Sequence, residues 1–241
     1  MNGSTPPATE HERQVQEALG FRLDDQGFAT FVAGSNAWAV ESLRAALGGG
    51  GHEFFYLCGP SGCGKTHLLT ALHREFRARG GAACYLDLRS LRRLGPEPLY
   101  HAAAPLLAVD HADCIAGDWD FELALFALYN RWQAAAQGVL AVGARSAPGQ
   151  AGFARPDLVT RLGSGVCCRM EALSEAECTQ ALQLKAGRRG LTLQQGVLDY
   201  LVSRSRYDMG SMTAMLELLD RASLREHHVI TIPFVKRILG L

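Results

Sequence analysis

Short runs of consecutive apolar residues recur along the first two thirds of the chain, with helical patterns between several of them. Four runs stand out: FFYLC (54–58), ACYLDL (83–88), PLLAVD (105–110) and GVLAVG (138–143). Continuous apolar runs are typical of strands that are buried on both faces of a parallel sheet, because crossover helices cover both sides. A fifth strand is predicted within VCCRMEAL (166–173). The pattern predicts an α/β domain in which helices sandwich a five-stranded parallel sheet.

Helical periodicity is clearest after the first run. Apolar residues from Leu68 to Phe76 recur at helical spacing, and Gly80 and Gly81 end the pattern. A second helix is predicted over FELALFALYNRWQAAA (121–136), before the fourth strand.

Beyond Leu173 the strand pattern disappears. Ser174 with Glu177 three residues later forms a capping box, which marks a helix start. Two further amphipathic helices are predicted at about 194–205 and 211–226, and Pro233 suits the first turn of a last one. The sequence thus predicts a small all-helical domain after the α/β domain.

Three parts of the chain are predicted. Residues 1–27 are polar at their start, have neither hydrophobic period, and are expected to form a mobile tail. Residues 28–173 form the α/β nucleotide-binding domain, and residues 174–241 the helical domain.

Composition narrows the function classes. The chain has 241 residues, 48% of them hydrophobic, which is enough for a substantial core. Lys+Arg and Asp+Glu both number 24, so the chain lacks the basic excess of a dedicated nucleic-acid binder.

No apolar run approaches the ~20 residues that a bilayer requires, so no membrane association is expected. Seven cysteines without paired CxxC motifs are interpreted as buried thiols in a reducing cytoplasm.

The most informative motif is GPSGCGKT at 59–66, which follows an apolar run and opens a helical pattern. Its glycines allow successive backbone N–H groups to face phosphates at a helix N-terminus. Lys65 would contact the β- and γ-phosphates, and the Thr66 hydroxyl would bind Mg²⁺. The alternative is a glycine-rich turn that happens to contain a lysine. The predicted nucleotide-binding residues are Gly59, Pro60, Ser61, Gly62, Cys63, Gly64, Lys65 and Thr66.

A carboxylate follows the third predicted strand. Asp110 ends LLAVD, where phosphate-loop proteins place an acid that holds the magnesium shell. Asp is also common where strands turn, so a purely structural role is the alternative. With the phosphate loop present, the metal role is favoured.

Several segments in order resemble a known family. These are FVAGSNAWAV (31–40), GPSGCGKTHLL (59–69), LLAVDHADCIAGD (106–118), FALYNRW (126–132) and TIPFVKRIL (231–239). Together they resemble the AAA+ module of the bacterial replication initiator DnaA and, more closely, the shorter Hda family of regulatory inactivators of DnaA. The resemblance implies a five-stranded sheet with a helical lid, and bound ADP (or ATP) with Mg²⁺.

The same resemblance implies partners. DnaA carries a DNA-reading domain after its lid, whereas this chain ends at Leu241, so DNA contact is expected to be at most indirect. Hda-like proteins dock a short N-terminal segment on the sliding clamp, the β subunit of the DNA polymerase. Gln16, Leu19 and Phe21 in QEALGF have the required form. Packing of Leu19 and Phe21 on the chain's own domain is the alternative.

Positions that hydrolysis of the chain's own nucleotide would require are compromised. His111 stands where active relatives carry a second acid after Asp110. Residues expected to be polar sensors are Val142 and Ala144, and Gly210 stands where the family places an arginine in the lid.

Arg161, in LVTRLGSG, matches the family's arginine at the subunit boundary. The resemblance implies that it acts in trans on ATP bound to DnaA, while an ordinary surface arginine is the alternative. Phe126 and Asn130 could belong to the surface that meets DnaA, or be a core residue and a solvated one.

The sequence therefore predicts a negative regulator of replication initiation that links the clamp to DnaA and activates the partner's ATPase, and is itself not an enzyme. Slow intrinsic ATP hydrolysis stays open. An autonomous P-loop ATPase or kinase, and a DNA-associated loader or remodeller, are the alternatives, and self-association stays open.

Overall fold

The computed structural model of the chain describes residues 27–48, 51–205 and 209–240. Within them, five strands form one sheet: β1 (His52–Cys58), β2 (Ala83–Asp87), β3 (Leu106–Asp110), β4 (Gly138–Ala144) and β5 (Val166–Arg169). The helices of the α/β domain are α1 (Ala37–Ala46), α2 (Lys65–Ala78), α3 (Leu88–Leu91), α4 (Glu97–His101), α5 (Trp119–Ala135) and α6 (Pro156–Leu162). Those of the lid are α7 (Glu175–Arg188), α8 (Gln195–Arg204), α9 (Met209–Glu226) and α10 (Ile232–Leu239).

The strand order is β2-β3-β4-β1-β5, and every pair is parallel. The predicted five-stranded parallel sheet between helices is confirmed. Because the carboxyl ends of parallel strands share one edge of the sheet, the loop after β1 and the residues that end β3 and β4 meet there. This edge is where the candidate site is built.

Successive residues of each strand point to opposite faces, so the sheet separates two cores. Tyr56 of β1 packs with α5 and α6 on one face, while its neighbour Leu57 packs with α1 and α2 on the other. Helix α2, which follows the phosphate loop, and helix α6, which carries Arg161, therefore cover opposite faces of the sheet.

The lid helices bury a separate apolar core that includes Leu182, Leu201 and Leu216. The capping box predicted at its start is present, since the Ser174 hydroxyl accepts from the Glu177 amide and the Glu177 carboxylate accepts from the Ser174 amide. None of the described helices has the length and apolar character needed to cross a membrane.

One side chain fixes the junction between the sheet and the lid. The Asn36 amide donates to the carbonyl of Glu171 (3.0 Å) and accepts from its backbone N–H (2.8 Å). Because both polar groups of one backbone residue are satisfied by one side chain, the direction of the chain as it leaves the sheet is set locally.

The fifth strand lies within the predicted segment 166–173, whereas one other sequence expectation is wrong in part. β5 ends at Arg169 because its neighbour β1 ends at Cys58 and turns into the phosphate loop, leaving only the bond from Met170 N–H to the Cys58 carbonyl. The expectation that all seven cysteines are buried is wrong for Cys167, which is exposed, and for Cys84 and Cys114, which are half-buried. Cys167 lies on the edge strand β5, of which only Cys168 faces the core.

A fully buried carboxylate ties α5 to the start of α6. Glu122 Oε1 accepts from the backbone N–H groups of Gly117 (2.7 Å) and Ala154 (2.9 Å), and Oε2 accepts from that of Arg155 (2.9 Å). Glu122 is 0% exposed. The three backbone N–H groups replace the hydrogen bonds to water that the buried carboxylate has lost. Because moving the loop before α6 would leave the carboxylate without these donors, Glu122 holds that loop in place.

We predict that Glu122→Gln lowers the free energy of unfolding by roughly 1–3 kcal/mol, because the introduced NH₂ group faces the Arg155 N–H and leaves two buried donors together. Urea unfolding followed by circular dichroism measures this. The control is Glu75→Gln, which removes only the exposed pair between Glu75 and Arg79 and should change stability by less than about 1 kcal/mol. Equal stability of Glu122→Gln and wild type would contradict the assignment.

Candidate functional site

The phosphate loop folds as its sequence predicts, between β1 and the N-terminus of α2. Gly64 lies in the left-handed region (φ 99°), which only glycine adopts without strain. A Cβ at this position would lie 2.4 Å from Cε2 of Phe31. Glycine is thus required at Gly64 by the backbone conformation and by the aromatic ring packed against it.

Lys65 is 9% exposed, and its ammonium group is directed into the loop. Nζ donates to the carbonyls of Gly59 (2.7 Å) and Pro60 (2.8 Å), and Sγ of Cys63 lies at 3.5 Å. A buried cation surrounded by a loop at a helix N-terminus fits the charge of a nucleoside di- or triphosphate. The residues present therefore suit the predicted ligand.

Asp110 is 0% exposed and accepts three hydrogen bonds at the end of β3. Oδ2 accepts from the hydroxyls of Thr66 (2.6 Å) and Tyr85 (2.9 Å), and Oδ1 accepts from the backbone N–H of His111 (2.8 Å). The structure thus brings together Thr66 and Asp110, the two residues to which the sequence analysis assigned Mg²⁺. Oxygen ligands of this kind suit that ion, which would offset the charge of the phosphates.

Tyr85 was not singled out from the sequence. Burial, and then the neighbouring Asp110 carboxylate, raise the pKa of its hydroxyl, so it stays a neutral donor. The sequence did not mark Tyr85, because its role depends on β2 lying next to β3, the strand that ends at Asp110.

His111 is held by a second carboxylate that the sequence analysis also did not single out. Its Nδ1–H donates to Oδ1 of Asp87 (2.8 Å), at the end of β2. Burial alone would raise the pKa of Asp87, but hydrogen bonds from His111 and Ser90 hold it below its ordinary value. His111 also has left-handed backbone angles (φ 58°), which is strained for a residue with a side chain. The position after Asp110 is thus a fixed imidazole in place of a second acid.

The strand that would carry a polar sensor is apolar. Val142 and Ala144 are both 0% exposed and belong to the core on the α5 face. Between them, a Cβ on Gly143 would lie 2.9 Å from Oδ1 of Asp110. A side chain at Gly143 would therefore displace the Asp110 carboxylate.

The N-terminal turn of the described chain closes one side of the loop. Phe31 stacks edge-on against His67 with ring centroids 5.2 Å apart, and His67 Nε2–H donates to the Gly27 carbonyl at 2.9 Å. Burial lowers the pKa of His67 to about 4, so it is neutral at physiological pH. These contacts connect the entry of the N-terminal tail to the first turn of α2.

Arg161 lies apart from the loop, near the end of α6 and exposed to solvent. Its guanidinium carbon is 5.8 Å from the centroid of the Tyr129 ring. No carboxylate of residues 27–48, 51–205 or 209–240 forms an ion pair with it. It is thus a cation on the surface, on the sheet face opposite to α2.

Phe126 and Asn130 lie on α5, the helix whose Tyr129 ring is near the Arg161 guanidinium, and both are half-buried. Phe126 packs on the core, and the Arg155 guanidinium lies 5.6 Å from its ring and 4.5 Å from that of Trp119. Trp119 is 59% exposed. Trp119, which the sequence analysis missed, therefore extends an aromatic and cationic surface next to the predicted interface pair.

Four further predicted positions remain, one in the lid and three in the N-terminal segment. Gly210 lies exposed in the first turn of the lid helix α9. Gln16, Leu19 and Phe21, the predicted clamp-binding residues, lie outside the described residues.

We predict that Lys65→Met weakens binding of ADP by about 10- to 100-fold without lowering the free energy of unfolding. A charge-assisted contact to phosphate is lost, but so is the cost of keeping a buried ammonium group among carbonyls. Isothermal titration calorimetry and urea unfolding measure the two effects. Lys236→Met, at an exposed lysine of α10, is the control, and unchanged ADP affinity of Lys65→Met would remove the loop from nucleotide binding.

The helical domain matches a known domain family. Residues 175–239 match the family described as "Hda, lid domain". The match covers the four lid helices and their shared core.

Solved structures share the fold of nearly the whole chain. Domain III of the Thermotoga maritima replication initiation protein DnaA superposes with a TM-score of 0.75 at 16% identity, over 90% of this chain and 96% of that one. AMPPCP-bound DnaA from Aquifex aeolicus gives 0.65 at 21% identity, over 81% and 65%. The Thermotoga maritima RuvB Holliday junction branch migration motor gives 0.58 at 16% identity, over 83% and 67%.

These likenesses establish the fold, and the lid match adds the family of the helical domain. With a phosphate loop on a five-stranded parallel sheet, the chain has the fold of domain III of DnaA, and its helical domain matches the Hda lid-domain family over residues 175–239.

Proposed function

We propose that the chain is a nucleotide-bound regulator of replication initiation that inserts Arg161 beside ATP held by a DnaA partner and so accelerates its hydrolysis. The observation that carries this proposal is the exposed Arg161 guanidinium, which no described carboxylate pairs with. An arginine supplied in trans stabilises charge on the transferring phosphoryl group and contributes on the order of 10³–10⁵ in rate. A cation used in this way must be free to meet the partner's phosphate.

Rigid support of Arg161 favours the same role. Helix α6 begins after Arg155, whose backbone N–H is held by the buried Glu122 carboxylate, and Leu158 and Leu162 anchor the helix in the core. Because α6 is well anchored, an arginine on it loses little conformational entropy when it docks on a partner. More of the interaction energy between the guanidinium and the partner's phosphates can then lower the activation barrier for ATP hydrolysis.

The chain's own nucleotide serves a structural role in this proposal. Val142, Gly143 and Ala144 offer no polar side chain beside Asp110, and Gly210 supplies no cation from α9. The loop around Lys65 remains suited to phosphates. We therefore propose that the bound species is ADP with Mg²⁺, held rather than turned over, and that it sets the arrangement in which Arg161 meets DnaA.

The exposed side of α5, the helix that Arg161 approaches at Tyr129, suits a protein partner. Trp119, Leu123, Phe126 and Asn130 recur at helical spacing along α5, and Trp119 and Leu123 are exposed. Aromatic residues and arginine are enriched at the centres of interfaces. Phe126 and Asn130 are proposed to contact DnaA together with Trp119.

Relatives support the partner and the ligand. The lid is of the Hda type, and DnaA structures with AMPPCP bound share the fold. The clamp is proposed as the second partner through Gln16, Leu19 and Phe21, because two apolar anchors and one amide in a polar segment suit a pre-formed groove.

We predict that Arg161→Ala abolishes stimulation of ATP hydrolysis by DnaA while ADP binding to the variant persists. Steady-state phosphate release by DnaA is measured with and without this chain and DNA-loaded clamp. Arg225→Ala, which removes an exposed arginine of the lid, is the matched control and should stimulate like wild type.

Stimulation by Arg161→Ala equal to that of wild type would overturn the assigned role. Hydrolysis by the purified chain alone, at a rate comparable to that of the complete mixture, would instead favour an autonomous ATPase, for which the Asp87–His111 pair is the nearest candidate base.

For the tail, Gln16→Ala with Phe21→Ala is predicted to abolish co-elution with the sliding clamp in size-exclusion chromatography, because one polar and one apolar anchor are lost together. Glu17→Ala lies within the same segment but outside the motif and should co-elute like wild type. Retained co-elution of the double variant would contradict the clamp assignment while leaving the role of Arg161 open to its own test.

A further inference from the structure

Two cysteines of neighbouring strands are in contact immediately before the phosphate loop. Sγ of Cys58, the last residue of β1, lies 3.8 Å from Sγ of Cys167 on the edge strand β5. Both are free thiols, and Cys58 is buried in the core on the α5 face, whereas Cys167 is exposed. The pair thus joins a thiol that solvent reaches to one that the fold covers.

The strand register explains the contact. Tyr56 of β1 is opposite Cys167, and Cys58 is opposite Arg169, so the two cysteines are diagonal neighbours on one face of the sheet. Cys168, between Cys167 and Arg169, packs in the core on the other face. Cys168 is therefore adjacent to the pair in sequence but not part of it.

The surroundings of the sulfurs give them different reactivity. Burial, and then the neighbouring Cys167, raise the pKa of Cys58 to about 11, while the nearby Arg169 cation opposes this rise. Burial likewise raises the pKa of Cys168 to about 11. Because oxidation of a thiol requires access and thiolate character, Cys167 is the thiol of this group that an oxidant meets first. Cys58 is then the thiol closest to the oxidised sulfur.

The same strands support the start of the phosphate loop. Gly59 follows Cys58, and a Cβ on Gly59 would lie 2.3 Å from the Met170 carbonyl oxygen. The Met170 N–H donates to the Cys58 carbonyl at 2.6 Å, and Nζ of Lys65 donates to the Gly59 carbonyl at 2.7 Å. A displacement of β5 relative to β1 would therefore reach Gly59 and, through it, Lys65.

A disulfide between these cysteines requires such a displacement. Diagonal neighbours on adjacent strands have Cα atoms about 7–8 Å apart, whereas most disulfides join Cα atoms about 4.4–6.8 Å apart. The two sulfurs must also approach more closely than their present 3.8 Å. Bond formation would thus draw β5 and the end of β1 together at the entry to the loop.

We propose that Cys58 and Cys167 are a site of reversible oxidation by hydroperoxides, and that their disulfide weakens binding of the nucleotide in the adjoining phosphate loop. The second part rests on the proposed function, because it assumes that the loop holds a nucleotide. Thiol pairs that are bridged only transiently are typical of redox sensing in compartments that keep most thiols reduced.

The reaction proceeds in two steps. The Cys167 thiolate attacks one peroxide oxygen, the O–O bond breaks, and the leaving hydroxide takes up the thiol proton as water, which leaves a sulfenic acid on Cys167. Cys58 then attacks the Cys167 sulfur, the S–S bond forms, and the S–O bond breaks. The departing hydroxide takes the Cys58 proton and leaves as a second water. The two thiols together lose two electrons, which reduce one peroxide.

The neutral sulfenic acid favours the second step. It no longer carries the negative charge by which the Cys167 thiolate raises the pKa of Cys58, while the Arg169 cation remains nearby. The Cys58 thiolate therefore becomes easier to form after Cys167 has been oxidised.

The test treats the reduced full chain with hydrogen peroxide and maps disulfides by mass spectrometry of a tryptic digest without reductant. The relevant peptides, 45–65 and 162–169, also contain Cys63 and Cys168, so fragmentation within the peptides assigns the bridge. We expect a bridge between Cys58 and Cys167 within one chain.

ADP affinity is measured on the same samples by isothermal titration calorimetry with Mg²⁺. We expect it to fall about tenfold in the bridged chain, because a displaced Gly59 moves Lys65 away from its best contact to phosphate. Dithiothreitol should restore the affinity of the reduced chain.

Two variants make the test specific. Cys167→Ser should bind ADP like the reduced wild-type chain both before and after peroxide. Since it keeps Cys63, it also shows whether oxidation of the loop cysteine accounts for the loss. Cys84→Ser removes a half-buried cysteine of β2 and should lose affinity with peroxide as wild type does. Circular dichroism melting of each sample reports whether the chain remains folded.

The outcomes separate the proposal from the function on which it rests. Peroxide treatment that leaves Cys58 and Cys167 unbridged, or that bridges Cys167 of two chains, would overturn the oxidation site. A bridged chain with unchanged ADP affinity, or an equal loss in Cys167→Ser, would overturn its effect on the loop. Failure of the reduced wild-type chain to bind ADP would instead refute the proposed nucleotide-bound state, while the peptide masses would still decide whether the bridge forms.

Discussion

The site depends on one buried carboxylate. Asp110 accepts hydrogen bonds from Thr66 of the loop helix, Tyr85 of the neighbouring strand and the backbone of His111. Without these donors a fully buried charge at the edge of the sheet would cost several kcal/mol, and with them it fixes three elements relative to one another. The glycine at 143 is part of the same constraint, because any side chain there would meet the carboxylate. β4 therefore offers Asp110 no polar side chain, because Gly143 faces the carboxylate while Val142 and Ala144 belong to the core on the other face.

The phosphate loop and the exposed Arg161 lie on opposite faces of the sheet. On one face, α2 and the phosphate loop bury Lys65 in a pocket suited to phosphates, and on the other, α5 and α6 present Arg161 and Trp119 to solvent. Under the proposed function, the chain would bind its own nucleotide on one side and offer Arg161 to a partner on the other, so neither side would need a complete set of catalytic residues. Glu122 connects the two helices of the second face through three backbone N–H groups, so the placement of Arg161 is part of the core rather than of a surface loop.

Much of this could be predicted from the sequence, and the rest could not for identifiable reasons. The parallel sheet, the phosphate loop and the lid follow from continuous apolar runs, glycine spacing and the capping box at Ser174. The pairing of Thr66 with Asp110 also follows, because strand ends converge on one edge. Tyr85, Asp87 and Glu122 could not be found, since their roles depend on which strands are neighbours and which backbone amides lie nearby.

Phe31 packs against Gly64, and the Gly27 carbonyl is tied to His67, at the point where residues 1–26 join the fold. The first described residues are therefore packed on the same helical turn that closes the phosphate loop. A change in the conformation of that turn would alter the contacts of Gly27 and Phe31 as well, so the geometry of the phosphate loop and the position at which the preceding segment enters the fold depend on the same few contacts.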